Sequence, residues 1–103
     1  MSDPMRIRAA LAGDETTVRV LMSHPMEPGT RRDAAGALIP AHFIQDVVAT
    51  ANGKTVLSAM FSGAVSQNPF LSFKFKGANK GDKLQVTWTD NKGDKRTDEA
   101  SIN

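Results

Sequence analysis

The stretch LSFKFK at residues 71–76 decides the fold class, because its apolar and polar residues alternate one by one. In an extended strand, Leu71, Phe73 and Phe75 lie on one face, and Ser72 and the two lysines lie on the other. The stretch therefore predicts a β-strand with one buried face and one solvent-exposed face.

The same alternation continues in both directions from this strand. Leu84, Val86 and Trp88 repeat it further along the chain, and Asn52-Gly53 is a strong hairpin signal because both positions tolerate positive φ. Strands are predicted at residues 6–11, 17–22, 43–51, 55–61, 71–76, 84–88 and 96–102. Seven strands at hairpin spacing predict an all-β protein, an antiparallel β-sandwich. Residues 41–49 are the only segment that could adopt a helical period instead.

Length and composition restrict the class of protein. The chain has 103 residues, of which 40% are hydrophobic and 23% are charged, as expected of one folded soluble domain. The net charge of +2 comes from cations scattered among acids, and no basic stripe with stacking aromatic residues indicates a nucleic-acid partner. The chain has no cysteine, which excludes disulfides, thiolate metal sites and a thiol nucleophile on this chain.

The sequence carries no sign of a membrane segment or of a nucleotide site. No stretch approaches the roughly 20 apolar residues of a membrane-spanning helix, and the opening residues MSDPMR lack the apolar core of a signal peptide. Glycine-rich phosphate loops and internal repeats are also absent. Composition alone predicts a cytoplasmic protein.

A long, charged connection separates the second and third predicted strands. It contains HPMEPGTRRD at residues 24–33 and IPAHFI at residues 39–44. Most connections in compact domains have about 4–6 residues, and longer irregular ones are usually functional or disordered. Three prolines, two histidines and a pair of arginines are too specified for a disordered segment. We therefore expect this loop to take part in the function.

The histidines suggest two kinds of chemistry. Met22, His24 and Met26 are spaced by two, so an extended backbone would place a sulfur, a nitrogen and a sulfur donor on one side, a set that suits copper(I). Pro25 opposes this interpretation, and so does the position of Met22 on the core-facing side of its predicted strand. The alternative is that Met22 lies in the core and Met26 makes an apolar contact. A hydrolase would need His24 or His42 beside an activated hydroxyl, and no nucleophile motif is present. The alternative is that both histidines make structural hydrogen bonds.

The charged residues of the loop also have two interpretations. Glu27, Arg31, Arg32 and Asp33 could form an anion site, because paired guanidinium groups bind oxyanions through parallel hydrogen bonds. They could instead form an internal ion-pair network that fixes the loop, because the two acids supply counter-charges.

A second corner, Asn68-Pro69-Phe70, precedes the strand that decides the fold class. Pro69 is suited to the start of a strand. An exposed aromatic residue such as Phe70 at a corner between loop and strand is a common contact residue in protein interfaces. Trp88 shares its face with Leu84 and Val86 and is predicted to lie in the core.

In combination, these segments resemble the SoxZ family over essentially the whole chain. The resemblance rests on HPME at 24–27, Gly29, RRD at 31–33, Gly36, IP at 39–40, NPF at 68–70, GDKLQVTWTD at 81–90 and Gly93. None of these groups is specific alone, but the combination is.

The resemblance implies a non-enzymatic, cofactor-free subunit of the periplasmic carrier for thiosulfate oxidation. SoxZ proteins are immunoglobulin-like β-sandwiches that pair with SoxY, whose flexible carboxy-terminal arm ends in a cysteine that carries sulfur intermediates. The absence of cysteine from this chain fits that division of roles. The resemblance also implies that the heterodimer serves enzymes such as the SoxAX cytochrome and the SoxB hydrolase. It places the chain in the periplasm, through export together with SoxY.

We expect the long loop and the corner at residues 68–70 to lie at or beside the SoxY interface. The residues in this prediction are His24, Met26, Glu27, Arg31, Arg32, Asp33, Pro69 and Phe70. A weaker hypothesis is that Arg31 and Arg32 attract the anionic sulfur adduct or an acidic partner enzyme. A body that normally buries an apolar face is also expected to form homodimers when isolated.

Overall fold

Burial alternates along the strands, so each strand has one side in the core and one side facing water. The computed structural model describes residues 3–103. Its strands are β1 (Arg6–Ala12), β2 (Glu15–Leu21), β3 (Ile44–Ala51), β4 (Lys54–Met60), β5 (Phe70–Lys76), β6 (Lys83–Asp90) and β7 (Lys95–Ser101). These bounds agree with the predicted strands to within a few residues, as expected when strand ends are read from sequence alone.

The strands form two antiparallel sheets. One has three strands in the order β1-β2-β5, and the other has four in the order β4-β3-β6-β7. This arrangement confirms the predicted immunoglobulin-like β-sandwich of seven strands. The helical alternative for residues 41–49 is wrong, because residues 44–51 pair with both β4 and β6. The described residues contain no helix, and so none that could cross a membrane.

The core lies between the inner faces of the two sheets. Val18 and Val20 come from the smaller sheet, and Val47, Val86 and Trp88 come from the larger one; each is at most 1% exposed. Their burial follows the period of two within each strand. The predicted placement of Trp88 in the core is confirmed.

The connection between β2 and β3 is a projecting two-stranded arm, which we define as residues 27–42. Isolated antiparallel bridges join Glu27 to His42 near its root and Arg32 to Leu38 near its tip. The Cα atoms extend over 54 × 20 × 19 Å, although a strand of seven or eight residues is only about 25 Å long. The arm therefore accounts for much of the length of the molecule.

The root of the arm packs on the connection between β4 and β5, whereas the tip is free of the sandwich. A Cβ atom added at Gly63 would lie 2.9 Å from Cα of Pro28, so only glycine allows the two backbones to approach this closely. Residues 31–38 at the tip are all exposed. The strands thus end in a distinct loop end, which carries the arm, the connection at residues 61–69 and the turn at residues 91–94.

Candidate functional site

A buried carboxylate lies at the loop end, where β6 finishes. Asp90 continues the core-facing series of Leu84, Val86 and Trp88, and it is only 2% exposed. Burying an ionised carboxylate costs free energy unless hydrogen bonds replace its lost water. The groups that donate to Asp90 therefore define the candidate site.

Four donors surround the two oxygens of Asp90. Oδ1 accepts hydrogen bonds from the backbone N–H groups of Lys92, at 3.0 Å, and Asp94, at 2.8 Å. Oδ2 accepts from Nε2 of His24, at 3.0 Å, and from Nε2 of His42, at 2.8 Å. Each oxygen thus has two donors, so the carboxylate is fully satisfied in the absence of solvent.

These hydrogen bonds also control the ionisation of Asp90. Burial is the largest single influence and raises its pKa. The hydrogen bonds from His24, from the Asp94 N–H, from His42 and from the Lys92 N–H together outweigh burial, and they lower the pKa of Asp90 below its ordinary value. The carboxylate is therefore ionised at neutral pH.

The environment of His24 fixes which of its ring nitrogens carries the proton. Nδ1 accepts a hydrogen bond from the backbone N–H of Met26 at 3.1 Å, so it is unprotonated, and Nε2 must carry the hydrogen that it donates to Asp90. The ring is 4% exposed and meets the rings of His42 and Trp88 edge-on, with centroids 4.6 and 5.1 Å away. The ring is held in one orientation.

The hydrogen bonds of His24 to Asp90 and Met26 oppose metal binding at this cluster. Ligand atoms of His24, His42 and Asp90 lie within 4.8 Å of one another, close enough to be considered a metal site. A metal ion on Nε2 of His24 would move the ring proton to Nδ1, where it would face the Met26 N–H. The cluster is therefore built for hydrogen bonding rather than for holding an ion.

The structure uses the proposed copper donors in other ways. Met22 is 1% and Met26 is 4% exposed, and Sδ of Met26 accepts a hydrogen bond from the Ile44 N–H at 3.3 Å. Both imidazoles donate to Asp90, and neither bonds to a serine or threonine in the described part of the chain. The prediction that both histidines make structural hydrogen bonds is confirmed.

The corner at residues 68–70 is joined to the same cluster through the backbone. The His24 N–H donates to Oδ1 of Asn68 at 3.1 Å, and the Asn68 N–H donates to the carbonyl of His24 at 2.9 Å. The Met22 N–H donates to the carbonyl of Pro69. These bonds hold Pro69 in a buried position and leave Phe70 63% exposed.

Internal bonds occupy the charged residues of the arm. Arg31 forms a two-pronged ion pair with Glu27, with 2.8 Å between Nε and Oε1, and this guanidinium lowers the pKa of the Glu27 carboxyl. Arg32 donates to the carbonyl of Gly36 at 2.8 Å, and Oδ1 of Asp33 accepts from two backbone N–H groups at the tip. The predicted internal ion pair is confirmed for Glu27 and Arg31, whereas the other two residues bond to the backbone.

The predicted interface residues thus differ in exposure. His24, Met26 and Pro69 are buried and shape the root of the arm, Glu27 is half-buried, and the exposed members are Arg31, Arg32, Asp33 and Phe70. Asp90 was not among the functional residues predicted from the sequence. The signal was present, because the period of two that buries Trp88 also turns Asp90 inward, where an acid needs partners.

Replacing Asp90 tests the site. We expect Asp90→Asn to lower the free energy of unfolding at pH 7 by about 2–3 kcal/mol, because the new amide N–H group meets two imidazole N–H donors. Urea unfolding measures this loss. Asp46→Asn, at an exposed carboxylate on β3, is the matched control and should change stability by less than about 0.5 kcal/mol.

The stability lost in Asp90→Asn is expected to depend on pH. The pKa of Asp90 is lower in the folded chain than in the unfolded one, so its stabilisation is complete above the unfolded value of about 3.9. The stabilisation is lost as pH falls through the folded pKa. The stability difference between wild type and Asp90→Asn should therefore shrink below about pH 4. A difference that stays constant down to pH 2 would contradict the assignment.

The His24 tautomer can be observed directly. We expect nitrogen-15 NMR of the imidazoles to show a hydrogen on Nε2 of His24 and none on Nδ1. Adding Zn²⁺ or copper(I) should leave these resonances and the unfolding midpoint unchanged, because binding would break the Met26 bond. Stoichiometric loss of the Nε2–H signal with either metal would show that the cluster binds ions.

Comparison with known proteins assigns the chain to a family. Residues 5–101 match the family described as Sulphur oxidation protein SoxZ. No curated protein matches the chain significantly. Among solved structures, a superoxide reductase (neelaredoxin) from Ignicoccus hospitalis is similar, with a TM-score of 0.59 and 17% identity over 99% of this chain and 82% of that one. At that identity the likeness shows the fold alone. Because the family match covers nearly the whole chain, this protein belongs to the SoxZ family and is a component of the Sox sulfur-oxidation system.

Proposed function

We propose that this chain is the non-catalytic half of the SoxYZ carrier. It pairs with SoxY, whose carboxy-terminal cysteine carries the sulfur intermediates of thiosulfate oxidation. Family membership supports this function, and one structural observation supports the pairing. Among residues 3–103, four large apolar side chains are exposed, and each lies on the arm or at a strand end that meets the loop end: Leu21, Leu38, Met60 and Phe70.

Leu21 and Phe70 share the outer face of the smaller sheet, whereas Met60 lies opposite Asp46 on the outer face of the larger sheet, so only the first two form a continuous patch. Leu21 is the last residue of β2, Met60 is the last of β4, and Phe70 is the first of β5. Leu21 and Phe70 are also direct cross-strand partners. Exposed apolar groups gathered in one region are typical of sites where another protein binds. We assign this surface to SoxY.

The arm supplies the second half of the proposed contact. An isolated two-stranded hairpin is only marginally stable in water, yet the tip extends beyond the sandwich with Leu38 54% exposed. The ion pair of Arg31 with Glu27 and the bond from Arg32 to the Gly36 carbonyl stiffen it before any partner binds. A stiff arm loses little conformational entropy on binding, which favours association.

In this proposal the chain supports the sulfur-carrying cysteine of SoxY and does not itself react. The cysteine of SoxY is on a flexible carboxy-terminal segment, and it can reach several enzymes when a rigid body holds the base of that segment. This chain would provide half of that body, and the heterodimer would be presented to enzymes such as the SoxAX cytochrome and the SoxB hydrolase. No residue of the chain takes part in a covalent step in this proposal. We place the heterodimer in the periplasm.

Co-purification tests the function directly. The tagged chain, recovered from the periplasmic fraction of its native host grown on thiosulfate, should bring a stoichiometric partner with it. Intact mass spectrometry should show that the partner has a carboxy-terminal cysteine bearing sulfur adducts. Recovery of the chain alone from the periplasm, or only from the cytoplasm, would contradict the proposal.

Substitutions at the loop end test the proposed surface. We expect Arg31→Ala combined with Phe70→Ala to weaken pairing with SoxY by about tenfold or more, because interface aromatic and arginine residues commonly contribute most of the affinity. Isothermal calorimetry measures the change. The matched control is Lys54→Ala with Lys80→Ala, two exposed cations away from the loop end. Equal affinity of both double variants for SoxY would place the interface elsewhere.

The isolated chain provides a further readout of the same surface. If the exposed apolar group drives self-association, sedimentation should show dimers at high concentration. Phe70→Ala should reduce the dimer fraction, and an equimolar amount of SoxY should abolish it. Dimers that persist unchanged in both cases would mean that a different face self-associates.

A further inference from the structure

The positive charge of the chain is concentrated on one face. The outer face of the three-stranded sheet consists of alternate residues of β1, β2 and β5. It carries five of the chain's 13 lysines and arginines and one of its 11 acids. The charged residues of this face are Arg6, Arg8, Glu15, Arg19, Lys74 and Lys76. The rest of the chain has more acids than cations, so the charge is strongly asymmetric.

Three of these cations form a compact group, which we name the arginine patch and define as Arg6, Arg8 and Arg19. The strand register places Arg8 directly opposite Arg19, and Arg6 is two residues from Arg8 on the same side of β1. All three are exposed. Within residues 3–103, none of the three guanidinium groups makes a hydrogen bond or an ion pair.

The two lysines on this face, unlike the arginines, have acidic neighbours. Lys74 lies 3.8 Å from Glu15, and Lys76 lies 3.8 Å from Asp14. The arginine patch alone is left without a counter-charge, although like charges directly opposite each other destabilise a sheet. An uncompensated and locally unfavourable arrangement of arginines is typical of a surface that binds an external anion.

A shallow groove runs beside the patch. Its volume is about 510 Å³, and Arg8, Ala10, Thr17, Arg19 and Asn103 line it. The alanine and the threonine are small, so neighbouring side chains do not cover the two guanidinium groups. Thr17 adds a hydroxyl beside them. The groove is therefore open to an extended chain that lies along the sheet.

We propose that the arginine patch binds an extended acidic segment of a partner protein. Carboxylates two residues apart in an extended chain are about 6.5–7 Å apart, which matches the spacing of Arg6 and Arg8 along β1. Guanidinium groups bind carboxylates through two parallel hydrogen bonds. The row of Arg6 also contains Leu21 and Phe70, which are assigned to SoxY above, whereas the row of Arg8 and Arg19 lies beyond that surface and does not depend on the proposed pairing.

The observations favour this ligand over two others. A small oxyanion on exposed side chains would stay hydrated and would be held weakly, whereas a chain with several carboxylates contacts all three arginines at once. A nucleic acid would be expected to stack its bases on several aromatic residues among the cations, and the outer face has one, Phe70, at the end of the row that contains Arg6.

The test uses the full chain and a blocked ten-residue peptide of alternating Glu and Ser. We expect amide NMR shifts confined to β1, β2 and β5 around the patch, and binding that weakens as salt rises. Arg8→Gln with Arg19→Gln should weaken binding by about tenfold or more. Arg8→Lys with Arg19→Lys should produce a smaller loss, because charge remains and the two-pronged geometry is lost.

Controls decide between this proposal and its competitors. Lys80→Gln with Lys92→Gln removes the same charge from exposed positions in other turns and should leave affinity within twofold of wild type. Equal losses in both double variants would overturn the proposal in favour of general attraction. Sodium sulfate that displaces the peptide better than sodium chloride of equal ionic strength would indicate a small-anion site instead. Tighter binding of a single-stranded oligonucleotide at the same amides would indicate a nucleic-acid surface.

Discussion

The loop end depends on the carboxylate of Asp90. Its four hydrogen bonds come from three separate parts of the chain: the turn that follows β6, His24 just after β2, and His42 just before β3. His24 follows a strand of the smaller sheet, and His42 precedes a strand of the larger sheet. A single ionised group therefore links the two sheets at the loop end and holds the segments at both ends of the arm, and its burial is possible only while all of these segments stay in place.

The same network holds backbone conformations that would be unfavourable elsewhere. Met26 and Asn68 have φ angles of 50° and 53°, in the left-handed region that residues other than glycine seldom adopt. Both residues bond to His24, one to its ring and one to its backbone. Such conformations persist where the surroundings over-determine them. Met26 directly precedes the arm, and Asn68 directly precedes the corner at Pro69 and Phe70, so both turns lie where the chain enters or leaves the loop end.

The sequence predicted the sandwich well because a period of two is a local property of each strand. Residues 71–76 and the series ending at Trp88 needed no tertiary information. Asp90 was missed because its role depends on two histidines that approach only after the sheets pack. The hairpin form of the arm was also beyond sequence reasoning, since its bridges are isolated and follow no apolar alternation. The exposure of Phe70 was anticipated from its position at a corner, whereas the burial of Pro69 was not.

The order of the strands has a consequence for how the chain reaches this state. β2 forms a hairpin with β1, but its other edge pairs only with β5, where Val18 meets Phe73. The arm, β3 and β4 lie between β2 and β5 in the sequence, so they are synthesised before β5. Pairing at such sequence separation is slow, and an unpaired strand edge can meet another chain in the meantime. Until β5 emerges, the nascent amino-terminal hairpin has an open edge, so synthesis itself includes a period in which this protein can aggregate.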